Sequence, residues 1–576
     1  MGTVADKLTY LGQTKAEIRD AIISKGVAVP AETTFRDYAG KIREIITDDG
    51  GINPEEEWKR PDDWLPIEDR VVAGDQKFVG LHAIFEDSNF VALSATGNYT
   101  VDWGDGKIEN FTSGTKAAHL YSYADFEGME STDGFRQAII TITPQAGQQL
   151  NRINLQERHS QAGSGSYSSG WLDIRVSGQN IFSFIISGSI ITHVYFEVFC
   201  FVGSNLITDY TRFFSGCNML QFVSFQDTSR GTGFNYMFLN CTSLKTVLLP
   251  DTSNGISFSY MFQGCASLKS ISLPNTSKGT NFNYMFMNCS SLQKVLLPDT
   301  SRGKNFDYMF IYCGALKTAP LLNTSMATSF YYMFGYCGSL KSIPLLDTSN
   351  GTDFRYMFAS CGSLQNAPSL NTEKGTDFSC MFISCGSLRN APLLNTVSGI
   401  NFSSMFASNT SLQTVPLLDT SNGTSFGAMF YGCSALQSVP DLNTSNGTVF
   451  NSMFGLCTML RSIPFLDTAK GIEFWGMFQG CMLLKTLPLL TTSNATKLDN
   501  IVANCATLSK ATFLGTKNSI SYAYCRLTQA ALVDIFNNLA SGVEAKTITI
   551  TANLGASLLT ADEKAIAINK GWTIVE

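Results

Sequence analysis

Cysteine is the residue whose type and spacing could most readily support chemistry in this chain, because thiolates bind metals and form disulfides. Twelve of the 15 cysteines recur at intervals of 24 residues or a multiple of it. A metal site needs close ligand pairs, and the nearest pair, Cys380 and Cys385, has no histidine beside it. Asn409 fills the missing slot, which indicates packing rather than redox chemistry. We predict a column of buried free thiols and no metal site. The column comprises Cys217, Cys241, Cys265, Cys289, Cys313, Cys337, Cys361, Cys385, Cys433, Cys457, Cys481 and Cys505.

Carboxylates are the second group that could do chemistry. Asp102 and Asp105 lie in the stretch YTVDWGDG, and we interpret them as turn residues, because Asp-Gly suits a tight hairpin. A calcium site or a carboxylate pair is the alternative. Aspartate also recurs in a turn column of the repeat, where it alternates with asparagine. We predict no catalytic residues, no cofactor and no enzymatic activity, with hydrolysis of a surface glycan as the alternative. The histidines are scattered: His82, His119, His159 and His193.

Tyrosine forms the first candidate binding column, directly before a repeated Met-Phe pair. It stops halfway along the chain, where small residues replace it from Cys380 to Gly476. Two accounts compete for these residues, hereafter the tyrosine row. They fill space against another element such as a partner subunit, or they form an aromatic platform for sugars or a protein receptor. The tyrosine row comprises Tyr236, Tyr260, Tyr284, Tyr308, Tyr332 and Tyr356.

A basic and polar column is the second candidate binding surface. It follows a fixed leucine of the repeat and alternates lysine or arginine with glutamine. Such a column keeps a stack of repeats soluble, or it forms a track for an anion or a glycan. The lysines that we single out are Lys245, Lys269, Lys317 and Lys341.

A 24-residue repeat must position all of these columns. It runs without an insertion from Phe213 to Cys505 and gives thirteen units. A fixed period of this size predicts a solenoid in which each unit packs against its neighbours. Within the unit 258–280, the apolar spacing predicts a short helical segment, a single α-turn or 3₁₀ turn. An alternating strand at 269–273 follows, and then a turn in which Gly279 takes positive φ.

Proline limits the length of the predicted strands. It follows the strand in three early units, at Pro250, Pro274 and Pro298, and stands two residues further inward from Pro320 onwards. Because proline cannot donate to a ladder, the paired strand should be about three residues long, or the proline nitrogen should face away from the ladder. We expect neighbouring units to stack in parallel about 4.8 Å apart, which gives an array roughly 60 Å long.

The fixed columns (MFxxCxSL, a strand, then D/N-T-S-x-G) closely resemble the BspA-type leucine-rich repeat family. The resemblance extends over residues 213–505. It implies adhesion and recognition rather than catalysis.

The N-terminal third contains three further kinds of sequence. Residues 1–50, with KLTYL, TKAEIRDAI and TFRDYAGKI, resemble N-terminal segments of bacteriophage tail and fibre proteins, which implies a helical docking module on a virion. Residues 51–75 are predicted to be a linker anchored by Trp58 and Trp64, and their RPDDWLP stretch also resembles phage structural proteins. Residues 76–150 resemble a PKD-type immunoglobulin-like sandwich in their WGDG hairpin, HLY strand and final apolar strand.

Two caps are predicted at the ends of the solenoid, because exposed solenoid ends need covering. Residues 151–212 are strand-rich but out of register and form an irregular N-terminal cap. The solenoid occupies 213–510. Residues 511–576 form an α/β C-terminal cap with helices at 528–540 and 560–569 and strands at 546–551 and 572–575. The predicted fold class is mainly β: a leucine-rich-repeat-type solenoid, a β-sandwich and a small helical module.

These features together favour a bacteriophage virion protein, a fibre, spike or appendage that binds a host-surface glycan or protein without catalysis. Residues 1–50 would contact other virion proteins, and a homotrimer is expected by analogy with fibres. The alternatives are a bacterial cell-surface adhesin of the BspA type and a glycan-cleaving depolymerase. Neither a secretory signal nor an apolar run of membrane-spanning length is recognised. The net charge of −7 does not favour nucleic acid as a partner.

Overall fold

The computed structural model describes residues 58–576 except 129, 189–190, 345 and 368–369. The chain divides into two compact units, Met1–Lys59 and Arg60–Glu576. The predicted docking module at 1–50 lies outside the described residues. Among those that are described, no helix is long and apolar enough to cross a membrane.

Twelve of the described strands precede the repeats, and most of them belong to two sheets. The larger sheet has the order β14-β13-β12-β9-β1-β6-β3-β4, and the smaller one has the order β10-β7-β2-β5. The strands are β1 (Lys77–Ile84), β2 (Phe90–Thr96), β3 (Tyr99–Asp102), β4 (Ile108–Phe111), β5 (Lys116–Leu120), β6 (Arg136–Pro144), β7 (Arg152–Asn154), β8 (Tyr167–Ser168), β9 (Trp171–Ser177), β10 (Ser183–Ile185), β11 (Ile191–Thr192) and β12 (Val198–Phe201).

Both sheets contribute to one core that includes Leu93, Ile140, Ile153 and Trp171. The larger sheet crosses the predicted boundary at residue 150, because β9 pairs antiparallel with β1 and parallel with β12. Strand β7 joins the smaller sheet through β2. The predicted ranges 76–150 and 151–212 therefore share two sheets in this structure. The PKD-type resemblance stays a prediction.

Residues 60–75, which were predicted to belong to a linker, pack against the larger sheet. Ile67 is fully buried, and the guanidinium of Arg60 forms an ion pair with the buried carboxylate of Asp173. The backbone N–H of Leu65 donates to Oε1 of Gln137 at 2.8 Å. This part of the chain is thus a fixed element of the fold rather than a free connection.

Parallel pairing carries the larger sheet directly into the solenoid. Strand β12 pairs with β13, and β13 pairs with β14, one repeat further on. Beyond β16 most units contribute only a single bridge, for example Thr318 to Ser342. A second column of bridges, from Asp209–Gly233 to Glu473–Lys497, lies elsewhere on each coil. The solenoid strands are β13 (Phe222–Phe225), β14 (Thr246–Leu248), β15 (Ser270–Ser272), β16 (Lys294–Leu296), β17 (Leu490–Thr491) and β18 (Phe513–Leu514).

The last part of the chain contains the helices and strands predicted for the C-terminal cap. Thr528 caps the first helix by accepting from the Ala531 N–H, and Thr560 and Glu563 form a capping box on the second. Strands β19, β20 and β21 form a parallel sheet. Short 3₁₀ helices occupy Glu68–Arg70 and Ala556–Leu558. The cap elements are β19 (Ile520–Ser521), α1 (Gln529–Asn538), β20 (Lys546–Thr549), α2 (Ala561–Ile568) and β21 (Trp572–Val575).

The prediction of a helical segment in each repeat is wrong: the segment is a series of tight turns. The N–H groups of Met261 and Cys265 donate three residues back, to Phe258 at 3.2 Å and Phe262 at 3.1 Å. The N–H groups of Phe262 and Gly264 donate instead to the next unit, as from Phe262 to Met285 at 2.9 Å. This alternation requires left-handed backbone twice in each unit, at φ 59° in Tyr260 and 76° in Gly264.

The glycine of the turn column is required for close packing and not for the predicted positive φ. Gly279 does not have the positive φ that was predicted for it. A Cβ on Gly279 would lie 2.6 Å from the ring of Phe282 and 3.0 Å from that of Phe258. Close packing beneath stacked phenylalanine rings therefore selects glycine here, and alanine fills the slot in two units, as Ala327 and Ala495.

The change in proline position reverses which side chains face outward. Leu273, which precedes proline, is 1% exposed, whereas Leu321, which stands in the same column two units later and follows proline, is 67% exposed. The next column does the opposite, so that Leu322 is buried. Neighbouring side chains of an extended segment face opposite sides, so the two columns exchange faces together. The loss of the proline N–H also explains why the ladder shrinks to single bridges after β16.

All 15 cysteines, which lie within the described residues, are free and buried. In the repeats their role is more specific than packing. The thiol of Cys289 donates to the carbonyl oxygen of Phe262 at 3.0 Å, and the same bond recurs along the column. Asn409 keeps this donor, because its amide nitrogen lies 2.9 Å from the carbonyl of Phe382. Burial raises the pKa of these thiols, to about 12 for Cys337, which keeps them protonated as donors.

We expect Asn409→Cys to stabilise the protein. The Oδ1 atom of Asn409 is buried without a hydrogen-bond partner, and such an atom costs about 1–3 kcal/mol. Cysteine would keep a donor to Phe382 and remove the unpaired oxygen. Urea unfolding at neutral pH should show a higher midpoint for Asn409→Cys and a lower one for Asn409→Ala. A lower midpoint for the cysteine variant would contradict this account of the column.

Candidate binding surface

The tyrosine row lies on the turn segments, at positions whose backbone is left-handed. The φ angles of its members lie between 52° in Tyr332 and 59° in Tyr260. Each backbone N–H donates to the next unit, as from Tyr284 to the carbonyl of Asp307 at 3.0 Å. Later units carry Ser452 and Gly476 in the same conformation. A bulky side chain is an outlier there, because the left-handed region favours glycine and asparagine.

The rings of the tyrosine row stack on one another along the solenoid. Centroids of Tyr260 and Tyr284 are 4.4 Å apart, as are those of Tyr284 and Tyr308, at interplanar angles of 10° and 14°. The separation widens to 5.5 Å between Tyr308 and Tyr332 and returns to 4.4 Å at Tyr356. All six side chains are half-buried. The sequence prediction of one continuous aromatic row is confirmed.

Each end of the tyrosine row has a partner of different chemistry. The guanidinium of Arg212 lies 4.4 Å from the ring centroid of Tyr236, in cation–π geometry. At the other end, a hydrogen bond with Cys380, followed by burial, raises the pKa of Tyr356. The row is thus closed at both ends, and its inner ring faces are occupied by neighbouring rings.

Three tyrosines that the sequence analysis did not single out widen the row near its middle. Tyr312 and Tyr336 are exposed and stack at 4.6 Å, and Tyr336 lies 6.4 Å from Tyr332. Tyr331 meets Tyr308 edge to face at 5.0 Å. Two features of the sequence could have indicated them: the doublet Tyr331-Tyr332, and the column of Tyr312 and Tyr336, which is the second left-handed column of the repeat.

Arg355 completes this part of the surface. Its guanidinium lies 4.6 Å from the centroid of the Tyr331 ring and donates to the carboxylate of Asp353 at 2.6 Å. Asp307 accepts from the hydroxyl of Ser329 at 2.6 Å. We use the name tyrosine surface for the tyrosine row together with Tyr312, Tyr331, Tyr336, Arg212 and Arg355.

The predicted lysine column is separate from the tyrosine row. Each lysine stands nine residues after the tyrosine of its own unit, for example Lys245 after Tyr236. All four lysines are exposed: Lys245, Lys269, Lys317 and Lys341. The structure therefore brings the six predicted tyrosines into contact and leaves the four lysines as an exposed column at the start of the strand segments.

The candidate carboxylates act in turns. Asp102 accepts from the N–H of Gly104 and Asp105 from that of Lys107, both at 3.0 Å. The second oxygen of Asp105 lies 2.7 Å from Nε2 of His119. No group of three or more potential metal ligands occurs within the described part of the chain. These bonds agree with the interpretation of the hairpin as turn chemistry.

A depression of about 690 Å³ lies where the proline position changes, and Asp299 and Asp347 line it. Asp299 accepts from the N–H of Ser301 at 2.8 Å, and Asp347 accepts from the hydroxyl of Ser349 at 2.7 Å. The bonds from Ser349 lower the pKa of Asp347. A general acid needs a raised pKa, so this carboxylate does not suit acid catalysis of glycoside cleavage.

Comparisons with known families agree with the repeat. Residues 202–341, 259–377 and 307–435 match the BspA type Leucine rich repeat region, in six copies. Residues 400–513 match the family described as Mycoplasma protein of unknown function, DUF285. The solenoid is therefore built from leucine-rich repeats of the BspA type, which confirms the resemblance found in the sequence. No curated protein matches the chain.

Several solved structures match this chain at low similarity. A leucine-rich repeat protein from Eubacterium ventriosum is 15% identical, with 61% of this chain and 87% of that chain covered and a TM-score of 0.23. A chain of the mouse RP105/MD-1 complex is 12% identical, with coverages of 69% and 78% and a TM-score of 0.20. A plant peptide hormone receptor, RGFR1 in complex with RGF2, is 12% identical, with coverages of 69% and 83% and a TM-score of 0.17. TM-scores this low carry no structural argument.

Proposed function

We propose that this chain is an adhesin, a binding protein that attaches its carrier to another surface through the tyrosine surface. One observation carries the proposal: six consecutive units place tyrosine at a left-handed backbone position that Gly476 and Asn500 fill elsewhere. Bulky residues are disfavoured there, and strained positions of this kind cluster at functional sites. Folding alone does not call for tyrosine at this position, whereas recognition does.

The composition of the tyrosine surface supports recognition. Tyrosine and arginine are enriched where binding energy is concentrated, since they offer large contact areas and polar groups together. Stacking fixes the rings in advance, as between Tyr332 and Tyr356 at 4.4 Å. Binding then loses little side-chain entropy. The absence of an enzymatic role remains part of the proposal.

Two carriers are compatible with this role, and the family match favours the first. BspA-type repeats in residues 202–435 favour a bacterial cell-surface protein. The resemblance of residues 1–50 to phage proteins favours a virion, with a homotrimer as the expected assembly. Antibodies against the solenoid, applied to producing cells and to particles purified from them, would label the carrier.

A binding assay on intact cells tests the proposal. The full-length protein, fluorescently labelled, is incubated with a panel of bacterial and eukaryotic cells. We expect saturable binding to some of them, competed by unlabelled protein, with no oligosaccharide released into the medium. Released oligosaccharides would show the depolymerase alternative instead, and the lack of saturable binding to cells or to purified particles would contradict adhesion.

A further inference from the structure

The stacking geometry decides which part of each tyrosine is available to a ligand. A sugar that stacks on an aromatic platform needs an open ring face. In the tyrosine row the faces of Tyr260, Tyr284 and Tyr308 are covered on both sides by neighbouring rings. Because the rings are nearly parallel and half-buried, the surface presents ring edges and hydroxyl groups. The prediction of a stacking platform therefore does not fit the middle of the row.

The hydroxyl groups form a regular and uncharged line. Burial, with contributions from neighbouring hydroxyls, raises the pKa of Tyr260 and Tyr308, and burial raises that of Tyr332 to about 12. These groups stay protonated at physiological pH, so each can both donate and accept a hydrogen bond. The hydroxyls of Tyr260 and Tyr308 each interact with that of Tyr284 through a side-chain hydrogen bond, so successive hydroxyls lie close together.

Charge around the line is balanced. Arg355 is paired with Asp353, and Arg212 stands at the end of the row over Tyr236. Asp307 is held by the hydroxyl of Ser329 and the N–H of Tyr331. An acidic polymer would need several cations beside the line, and the lysine column lies elsewhere on the coil.

We propose that the ligand of the tyrosine surface is a neutral, extended polysaccharide that lies along the solenoid axis. Sugar hydroxyls exchange hydrogen bonds with successive tyrosine hydroxyls, and the sugar rings contact tyrosine edges rather than faces. This inference rests on the proposed function and names the ligand class for the same surface. A polymer fits because one hydroxyl per unit recurs over six units, whereas a single sugar would meet only one or two of them.

The experiment separates hydroxyl recognition from ring stacking. The full-length protein is run by affinity electrophoresis in gels that contain laminarin, mannan or, as an acidic polymer, polygalacturonate. The variant Tyr260→Phe, Tyr284→Phe, Tyr308→Phe keeps the rings and loses the hydroxyls. Its matched control is Tyr431→Phe, an exposed tyrosine of a later unit outside the row.

We expect retardation by a neutral polysaccharide and a loss of affinity of about 100-fold in the triple variant, at about fivefold for each hydrogen bond. The control should bind like the unmodified protein. An unchanged affinity of the triple variant, binding to polygalacturonate alone, or no retardation by laminarin or mannan would overturn the inference. Cell binding that survives periodate treatment of the cells but is lost on protease treatment would identify a protein ligand. That last result would leave the adhesin proposal standing.

Discussion

Lowering the pH from 7.5 to 4.5 is expected to remove about 5 kcal/mol of folding free energy through two buried histidines. His82 and His193 lie in the core of the N-terminal sheets, and His82 meets the ring of Trp171 edge to face at 5.0 Å. Burial lowers their pKa values, to about 3 for His82 and about 4 for His193, from an ordinary value of 6.5.

The sign follows from the order of these values. Below pH 6.5 these histidines bind protons in the unfolded chain but not in the folded protein. The free energy of unfolding therefore falls as the pH falls towards the folded pKa values. Each histidine then contributes a loss of about 2–3 kcal/mol at pH 4.5. Carboxylates whose pKa is lowered by hydrogen bonds, such as Asp419, add to the loss mainly below pH 4.

Urea unfolding followed by tryptophan fluorescence checks this prediction, since Trp171 is buried against the ring of His82. His82→Leu should lose only about half as much stability between pH 7.5 and 4.5 as the unmodified protein. Equal losses in both proteins would mean that His82 has the same pKa in the folded protein as in the unfolded chain. A stability independent of pH over this range would contradict the burial of both histidines.

The repeat period was the strongest predictor of the fold. Identical spacing fixes which residues stack, so the sequence predicted the cysteine column, the parallel stacking and the contact between successive tyrosines. The inward move of proline after Pro298 predicted short ladders, because a missing N–H acts locally. The helices predicted at 528–540 and 560–569 are present at 529–538 and 561–568, and a threonine caps each of them in the structure.

Backbone conformation was the part that the pattern could not give. Apolar residues three and four apart line one face of a helix, and the same spacing suits consecutive turns, so Phe258 to Leu268 could be interpreted either way. The column of Asn240, Gly264 and Asn288 was the available signal, since such residues favour left-handed backbone. Tyrosine in the neighbouring left-handed column gave no such signal.

Long-range contacts account for the remaining differences. The sheet that joins β1 to β9 and then to the repeats depends on pairing between distant segments, which local composition does not encode. The widening of the tyrosine surface by Tyr312 and Tyr336 arises because two columns approach each other on one coil. The glycine column was assigned to turn conformation, whereas packing under rings such as Phe282 selects it.

The second prediction with a large expected effect concerns the tyrosine row. It distinguishes a role of these residues in recognition from a role in folding. Replacing Tyr260, Tyr284 and Tyr308 by asparagine removes three stacked rings, which should abolish most of the binding energy of the surface. Asparagine accepts the left-handed backbone more readily than tyrosine, so the loss of stacking is offset by relief of strain. We expect binding to fall by more than about 100-fold while the unfolding midpoint changes little.

The decisive measurement compares this variant with a matched one. Ser404→Asn, Ser452→Asn introduces the same residue at the same left-handed position in units without tyrosine. Binding to the responsive cells and thermal unfolding are measured for both full-length variants and the unmodified protein. We expect that only the tyrosine variant loses binding and that all three proteins unfold at similar temperatures. Full binding by the tyrosine variant would contradict the claim that the tyrosine surface is the recognition surface.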